Sequence, residues 1–252
     1  MIHYHGVPFS GDVESLMSLQ GKHAFVSFAH SGPMEAVAEL CQSFALDNGA
    51  FSSHTANKPF DLAGFGDWVA QWYRHPSCDW YVMPDVIGGD HHENAKLQGA
   101  WFNRCSGSDM WRSGVPVWHL HEPLEVLSDY MLWPIGRVAL GSSGEYWQVG
   151  TAQWWKRIAE AMEVLCEDGF PKVKIHGLRM LDPTIFSHIP FSSADSTNVG
   201  RNIGIDKAWG GPYAPRSRRM RALILMERIE QHAAANRWCN SSGVQRNLEL
   251  FG

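Results

Sequence analysis

Eight short apolar, β-rich segments punctuate the chain, and nearly every one runs into a polar loop and then a stretch of helical periodicity. This alternation is the strongest constraint on the fold. Strands that alternate with helices run parallel and are joined by right-handed crossovers, because a parallel neighbour is reached only through a long return connection. The pattern predicts strands at 2–5, 23–30, 43–46, 79–83, 115–120, 137–140, 172–175 and 191–198. Between them, apolar residues recur at helical spacing: Met34, Val37, Ala38 and Cys41; Phe65, Trp68, Val69 and Trp72; Leu124, Leu127 and Met131; and Trp154 or Trp155, Ile158, Met162 and Leu165. A further helix after Asp90 is expected to turn Leu97 and Trp101 inward, and a basic helix is expected over about 215–235. Eight such units in 252 residues fit a single (β/α)8 TIM barrel, which takes about 250 residues, better than an open doubly wound sheet. No linker or low-complexity tract interrupts the pattern, so residues 1–252 are expected to form one domain.

Composition narrows the partners. A hydrophobic content of 44% with 19% charged residues describes a globular chain with a sizeable core. The net charge of −5 excludes a generally basic coat but leaves room for a local basic patch. Cys41, Cys78, Cys105, Cys166 and Cys239 are scattered and odd in number, with no Cys-x-x-Cys pair, which points to a reducing compartment. The first residues lack a charged and then apolar leader, and no apolar run is long enough to span a bilayer. A soluble, cytoplasmic protein is the expectation, with no membrane partner.

The polar signatures fall where the predicted strands end: Asp47-Asn48-Gly49, Pro84-Asp85, His119-Leu120-His121-Glu122, Gly141-Ser142-Ser143-Gly144-Glu145, His176-Gly177 and Asp195. In a barrel these positions share one face, the face that holds the active site. Singly, each also reads as turn chemistry, and Asp195 in its Ala-Asp-Ser-Thr context reads as a cap. Together they direct three carboxylates, Asp47, Asp85 and Asp195, into one mouth. Facing carboxylates suit displacement at an anomeric carbon, where one attacks and another carries protons. Crowding also drives their pKa values apart. Gly141, Gly144 and Gly177 would let backbone approach a flat heterocycle, and Tyr146 and Trp147 either wall the same pocket or pack in the core. Arg216, Arg218, Arg219 and Arg221, with Arg201 and Lys207, form either a phosphate grip or a solvated helix face.

The histidines allow a rival reading. His3-x-His5, His119 or His121, His176 and Asp195 follow the order of a metal-dependent amidohydrolase barrel, which needs a His-x-His on its first strand and an Asp on its eighth. That family's bridging lysine and a histidine on strand six are missing here.

The ordered motifs support a closer resemblance. Asp47-Asn48-Gly49-Ala50-Phe51 resembles the Asp-Ser-Gly-Gly-Phe signature of tRNA-guanine transglycosylases, and Pro84-Asp85, the 141–145 stretch, His176-Gly177 and Ser193-Ala194-Asp195-Ser196-Thr197 follow in that family's order. Residues 118–123 and 141–147 are similar to its short, often phage-encoded branch, which inserts 7-deazaguanine bases into DNA. The resemblance covers about residues 3–230. It implies base exchange with retention, in which Asp195 attacks C1′ and expels guanine while Asp47 serves as general acid/base. It further implies a base site of Asp85, His119 (where the family has a Gln), Gly141, Ser142, His176 and Gly177. DNA would lie against Arg201, Lys207, Arg216, Arg218, Arg219 and Arg221, with its guanine flipped or single-stranded. The partners implied are DNA and a free 7-deazaguanine such as 7-cyano-7-deazaguanine, with no cofactor. The tRNA enzymes carry zinc on a Cys-x-Cys-x-x-Cys…His insert. That spacing is absent here, so no metal is expected and DNA is favoured over RNA. A tRNA-acting enzyme, the hydrolase and a non-catalytic deazapurine- or nucleic-acid-binding barrel are the alternatives.

Overall fold

The computed structural model describes residues 1–7, 13–211 and 214–239. Its strands, in chain order, are β1 (Ile2–Val7), β2 (His23–Ser27), β3 (Ser43–Asp47), β4 (Cys78–Val82), β5 (Gly114–Val115), β6 (Val117–His119), β7 (Arg137–Gly141), β8 (Cys166–Glu167), β9 (Phe170–Pro171), β10 (Lys174–Gly177) and β11 (Ser193–Ser196). β8 and β9 form a small antiparallel hairpin. The other nine lie in one sheet, ordered β5-β4-β3-β2-β1-β11-β10-β7-β6, and every neighbouring pair is parallel. The fold is therefore mixed α/β, a nearly closed barrel-like sheet with helices packed around it.

The two ends of that order are consecutive in the chain, separated only by Pro116. β5 pairs with β4 on one side, Tyr81 against Gly114, and β6 pairs with β7 on the other, Val117 against Ala139. Pro116 has no N–H to give the ladder, so a strand expected to run unbroken over 115–120 is split at this residue. Its carbonyl still accepts from Ala139 N at 2.9 Å, and Val115 O accepts from Met83 N at 2.9 Å.

Alternation along each strand divides the core in two. Tyr4, Phe25, Ala45, Trp80, Val82, Val115, Val117 and Ala139 pack inside the sheet. Their chain neighbours, among them Phe44, Leu46, Tyr81, Trp118 and Val138, join the helices in the larger outer core, as does Ile175 of β10. The helix Ala152–Leu165 contributes Trp154, Trp155, Ile158, Met162 and Leu165 to that layer, the face its periodicity predicts.

Several expected elements differ. β2 stops at Ser27, and Phe28–His30 turns into a 3-10 segment. β10 begins two residues later than 172, because Lys172 N–H donates to Leu165 O at the hairpin base, leaving Lys174 to enter the sheet. His176 and Gly177 thus lie within the strand. In His91–Arg104 the buried positions are Asn94, Gln98 and Trp101, while Leu97 is only partly covered. The polar pair is satisfied: Asn94 donates to Glu122 Oε1 at 2.7 Å and Gln98 to the Tyr130 hydroxyl at 2.8 Å. The last helix is shorter than expected, Arg218–Glu230, and is capped by Ser217.

That helix is pinned to the sheet by Glu230. Its Oε1 lies 2.9 Å from His5 Nε2, and its Oε2 pairs with Lys22. Burial pushes the Glu230 carboxyl up, but the His5 and Lys22 contacts outweigh it and hold the pKa at about 2. A carboxylate depressed in the folded state stabilises above its unfolded pKa, and that contribution is lost as pH falls through the folded value. Glu230→Gln is expected to lower unfolding free energy at pH 7 by roughly 2 kcal/mol, with the deficit shrinking between about pH 4.5 and pH 2. Urea denaturation across that range measures it.

Candidate active site

At the C-terminal ends of the strands the inward side chains become small or polar. Gly6, Ser27, Asp47, His119, Gly141 and Asp195 replace the aromatic layer below, and a cavity of about 670 Å³ opens over them. Parallel pairing brings all these ends to one rim. Ser27 sits opposite Asp47 in the ladder. Asp85, three residues past the last paired residue of β4, completes a cluster of three carboxylates facing the cavity.

Asp195 is held from below and from one side. His176 Nε2 is 3.2 Å from its Oδ1, and the Arg179 backbone N–H donates to the same oxygen at 3.0 Å. Both bonds converge on Oδ1. Oδ2 makes no hydrogen bond to another described residue, which leaves it as the atom able to attack a ligand.

Asp85 is held on one oxygen and has a histidine beside the other. Asn48 Nδ2 donates to Oδ1 at 2.5 Å, and His119 Nε2 lies 2.8 Å from Oδ2. The other His119 nitrogen, Nδ1, is 3.2 Å from Ser143 Oγ, which also contacts His121 Nδ1 at 2.8 Å. His121 Nε2 lies 2.8 Å from Gly89 O and must donate to that carbonyl. Ser143 therefore gives its single proton to His121 and accepts from His119. Burial alone would keep His119 neutral, but the Asp85 carboxylate, aided by Glu122, raises its pKa above the ordinary histidine value. His119 thus bonds Ser143 through Nδ1 and sets Nε2 beside the Asp85 carboxylate, although that nitrogen is not aligned for a hydrogen bond.

Asp47 has no histidine behind it. Burial is the largest influence, pushing its pKa up to about 6. Ser27 pulls it down, the charges of Asp195 and Asp85 push it up, and the Gly49 amide, 3.2 Å away, pulls it down again. The cluster thus separates into two anchored carboxylates and one that exchanges a proton near neutrality.

Arg179 and Arg201 supply positive charge at the mouth. The Arg179 guanidinium carbon sits 3.4 Å from the centre of the Phe51 ring. Burial and then repulsion from Arg201 act to lower its pKa, opposed by Asp195 and Asp47. Its φ of 60° is in the left-handed region that side chains rarely adopt, and this turn aims its N–H at Asp195.

Of the residues singled out by sequence, Asp47, Asp85, His119, Gly141, Ser142, Asp195 and Arg201 line the cavity, as do Gly144 and Trp147. His176 and Gly177 lie below it. His176 is fully buried in the inner core against Phe25 and Trp80, and a side chain on Gly177 would meet the Phe191 ring at 2.7 Å. Lys207, Arg216, Arg218, Arg219 and Arg221 are outside the cavity lining. Arg221 is engaged locally, donating to Pro215 O at 2.7 Å and lying over Trp209. His3 and His5 point outward, to His232 O and Glu230, and among the described residues no group of three or more His, Cys, Asp or Glu is placed to hold a metal. Among those residues, too, no helix is long and apolar enough to cross a membrane. Sequence reasoning missed Arg179, for which nothing local distinguishes it. It also left Asn48 and Ser143 without roles, although both sit inside the motifs, and gave His121 one only as an alternative to His119 in the metal-dependent reading.

A carboxyl whose pKa is raised on folding contributes stability fully below its unfolded pKa and loses it as pH rises through the folded value. Asp47→Asn is therefore expected to be more stable than the parent at pH 8, by roughly 2 kcal/mol, and equal to it near pH 4. Paired thermal or urea melts at the two pH values test this. Comparison with known proteins adds no relative: no family model, curated protein or solved structure matches the chain.

Proposed function

We propose that the chain is a (β/α)8 barrel enzyme that exchanges guanine in DNA for a 7-deazaguanine base through a covalent aspartyl intermediate. The eight-strand count treats β5 and β6 as one strand broken at Pro116. The observation that carries the chemistry is the unequal trio of carboxylates: Asp195 with one oxygen tied and one unbonded, Asp85 tied to Asn48 beside the His119 ring, and Asp47 titrating at about 6.

These differences match the steps of a double displacement. Asp195 Oδ2 attacks C1′ of the target nucleoside, the C1′–N9 bond breaks, and its electron pair leaves with guanine as Asp47 supplies a proton. The sugar is then an ester of Asp195. The incoming 7-deazaguanine loses its N9 proton to Asp47, and its N9 attacks C1′ and releases Asp195 as the carboxylate. Asp47 ends as it began, and two inversions give retention. The anchored Asp85 offers its remaining lone pairs to the N–H groups of the base's pyrimidine edge. Gly141 and Ser142 provide the backbone wall, and Ser142 Oγ is steadied by Trp154 Nε1 at 2.9 Å. Arg179 and Arg201 suit the flanking phosphates of a flipped or single-stranded nucleotide. Outward-facing His3 and His5 weigh against the hydrolase alternative.

Mass spectrometry of nucleosides from plasmid DNA, after co-expression with enzymes that make 7-deazaguanine bases, tests the reading. Deazaguanine deoxynucleoside is expected with the parent and none with Asp195→Asn; deazaguanosine confined to tRNA would move the substrate to RNA. Asp47→Asn is expected to slow exchange by about 10²–10⁴-fold. With the parent, guanine release is expected to decline as pH rises through about 6.

A further inference from the structure

His176 is the buried group for which the exchange reaction has no assigned task. Its ring is walled by Tyr4 from β1, Phe25 from β2 and Trp80 from β4, with centroid separations of 6.0, 5.5 and 4.6 Å. From β7, Arg137 Nη1 donates to Ser193 Oγ at 3.0 Å, and that oxygen lies 2.9 Å from His176 Nδ1. Nε2 faces Asp195 Oδ1 at 3.2 Å.

The direction of each bond follows from valence. A guanidinium only donates, so Ser193 Oγ accepts from Arg137 and has one proton left to give. The acceptor within reach is His176 Nδ1. The ring hydrogen is then on Nε2, where the Asp195 carboxylate accepts it. Two charged groups end the chain, a cation at the foot of the sheet and an anion in the cavity, and the polarity of every intervening bond agrees with both.

We infer that His176 is a positioning residue for Asp195, locked by Arg137 and Ser193 in its Nε2–H form. In that form it ties Oδ1 and turns Oδ2 toward the ligand. The function assigned to Asp195 rests on the exchange reading; the tautomer and the hold on Oδ1 do not. The ionisable groups facing His176 are Tyr4, Arg137 and Asp195, and those acting on Asp195 from the cavity side are Asp47 and Arg179. Burial lowers the His176 pKa, and Arg137 adds to that, against the pull of Asp195. The ring therefore acts as a neutral donor, whereas the Asp85 carboxylate raises the pKa of His119.

Two measurements decide the matter. In NMR of nitrogen-labelled protein, His176 is expected as a single neutral Nε2–H tautomer through pH 6–8, and Ser193→Ala is expected to mix the tautomers. An Nδ1–H tautomer or a charged ring in the parent overturns the inference. In the exchange assay, Ser193→Ala and His176→Leu are expected to lower kcat by about 10- to 100-fold, with KM for the free base within about twofold. His176→Gln, whose side-chain N–H can reach Oδ1, should restore most of the loss. Folded variants with parental kcat would also overturn it. If the parent itself exchanges no base, the exchange reading fails, while the His176 tautomer in the parent and in Ser193→Ala still decides this one.

Discussion

Lateral hydrogen bonding between parallel strands is the constraint on which everything else in the molecule depends. It makes all strands end at the same rim, and the period-two alternation of side chains then decides which residue at each end looks inward. Asp47 is the last residue of β3, His119 of β6 and Gly141 of β7. A slip of one residue in any ladder would exchange such a residue for an apolar neighbour. Leu46, Trp118 and Leu140, each one position earlier, all face the helices. The inner core of Tyr4, Phe25, Trp80 and their neighbours therefore does more than fill space, since its bulk sets the floor on which the polar layer rests.

Above that floor the chemistry is organised by how each carboxylate is supported. Asp195 and Asp85 both have a histidine behind them, and each histidine has a serine behind it: Ser193 for His176 and Ser143 for His119. The far partner of the serine sets the outcome. Arg137 donates to Ser193, and burial lowers the pKa of the ring beneath Asp195, whereas Ser143 contacts His121, and the Asp85 carboxylate raises the pKa of His119. Two similar chains thus shift their histidines in opposite directions. Asp47, lacking such support and facing two anions, is the carboxylate whose proton is easiest to exchange.

Much of this was legible in the sequence because periodicity and strand-end polarity are local signals. The strand positions, the inward helix faces and the convergence of Asp47, Asp85, His119, Gly141 and Asp195 all followed from them. Contributions that depend on three-dimensional contact were hidden. Asn94 and Gln98 break the apolar rule for a buried helix face because Glu122 and Tyr130, distant in the chain, satisfy them. His176 resembled a ligand-facing residue because nothing in the sequence says that β10 starts two residues late, which moves the histidine from the rim into the core. Basic residues near Arg218 were grouped by proximity along the chain, yet only Arg201 of that predicted set lines the cavity. Arg179 was invisible because its contribution depends on a left-handed backbone turn.

That turn separates two demands that usually compete at one position. The hold on Asp195 comes from the main-chain amide of residue 179, while the side chain of the same residue extends over Phe51 into the cavity mouth. Whatever amino acid stands there, the amide remains, provided the residue tolerates a positive φ. Variation at this site can therefore reshape what the mouth admits without loosening the anchor of Asp195, giving descendants of this chain a route to new ligands through a single codon.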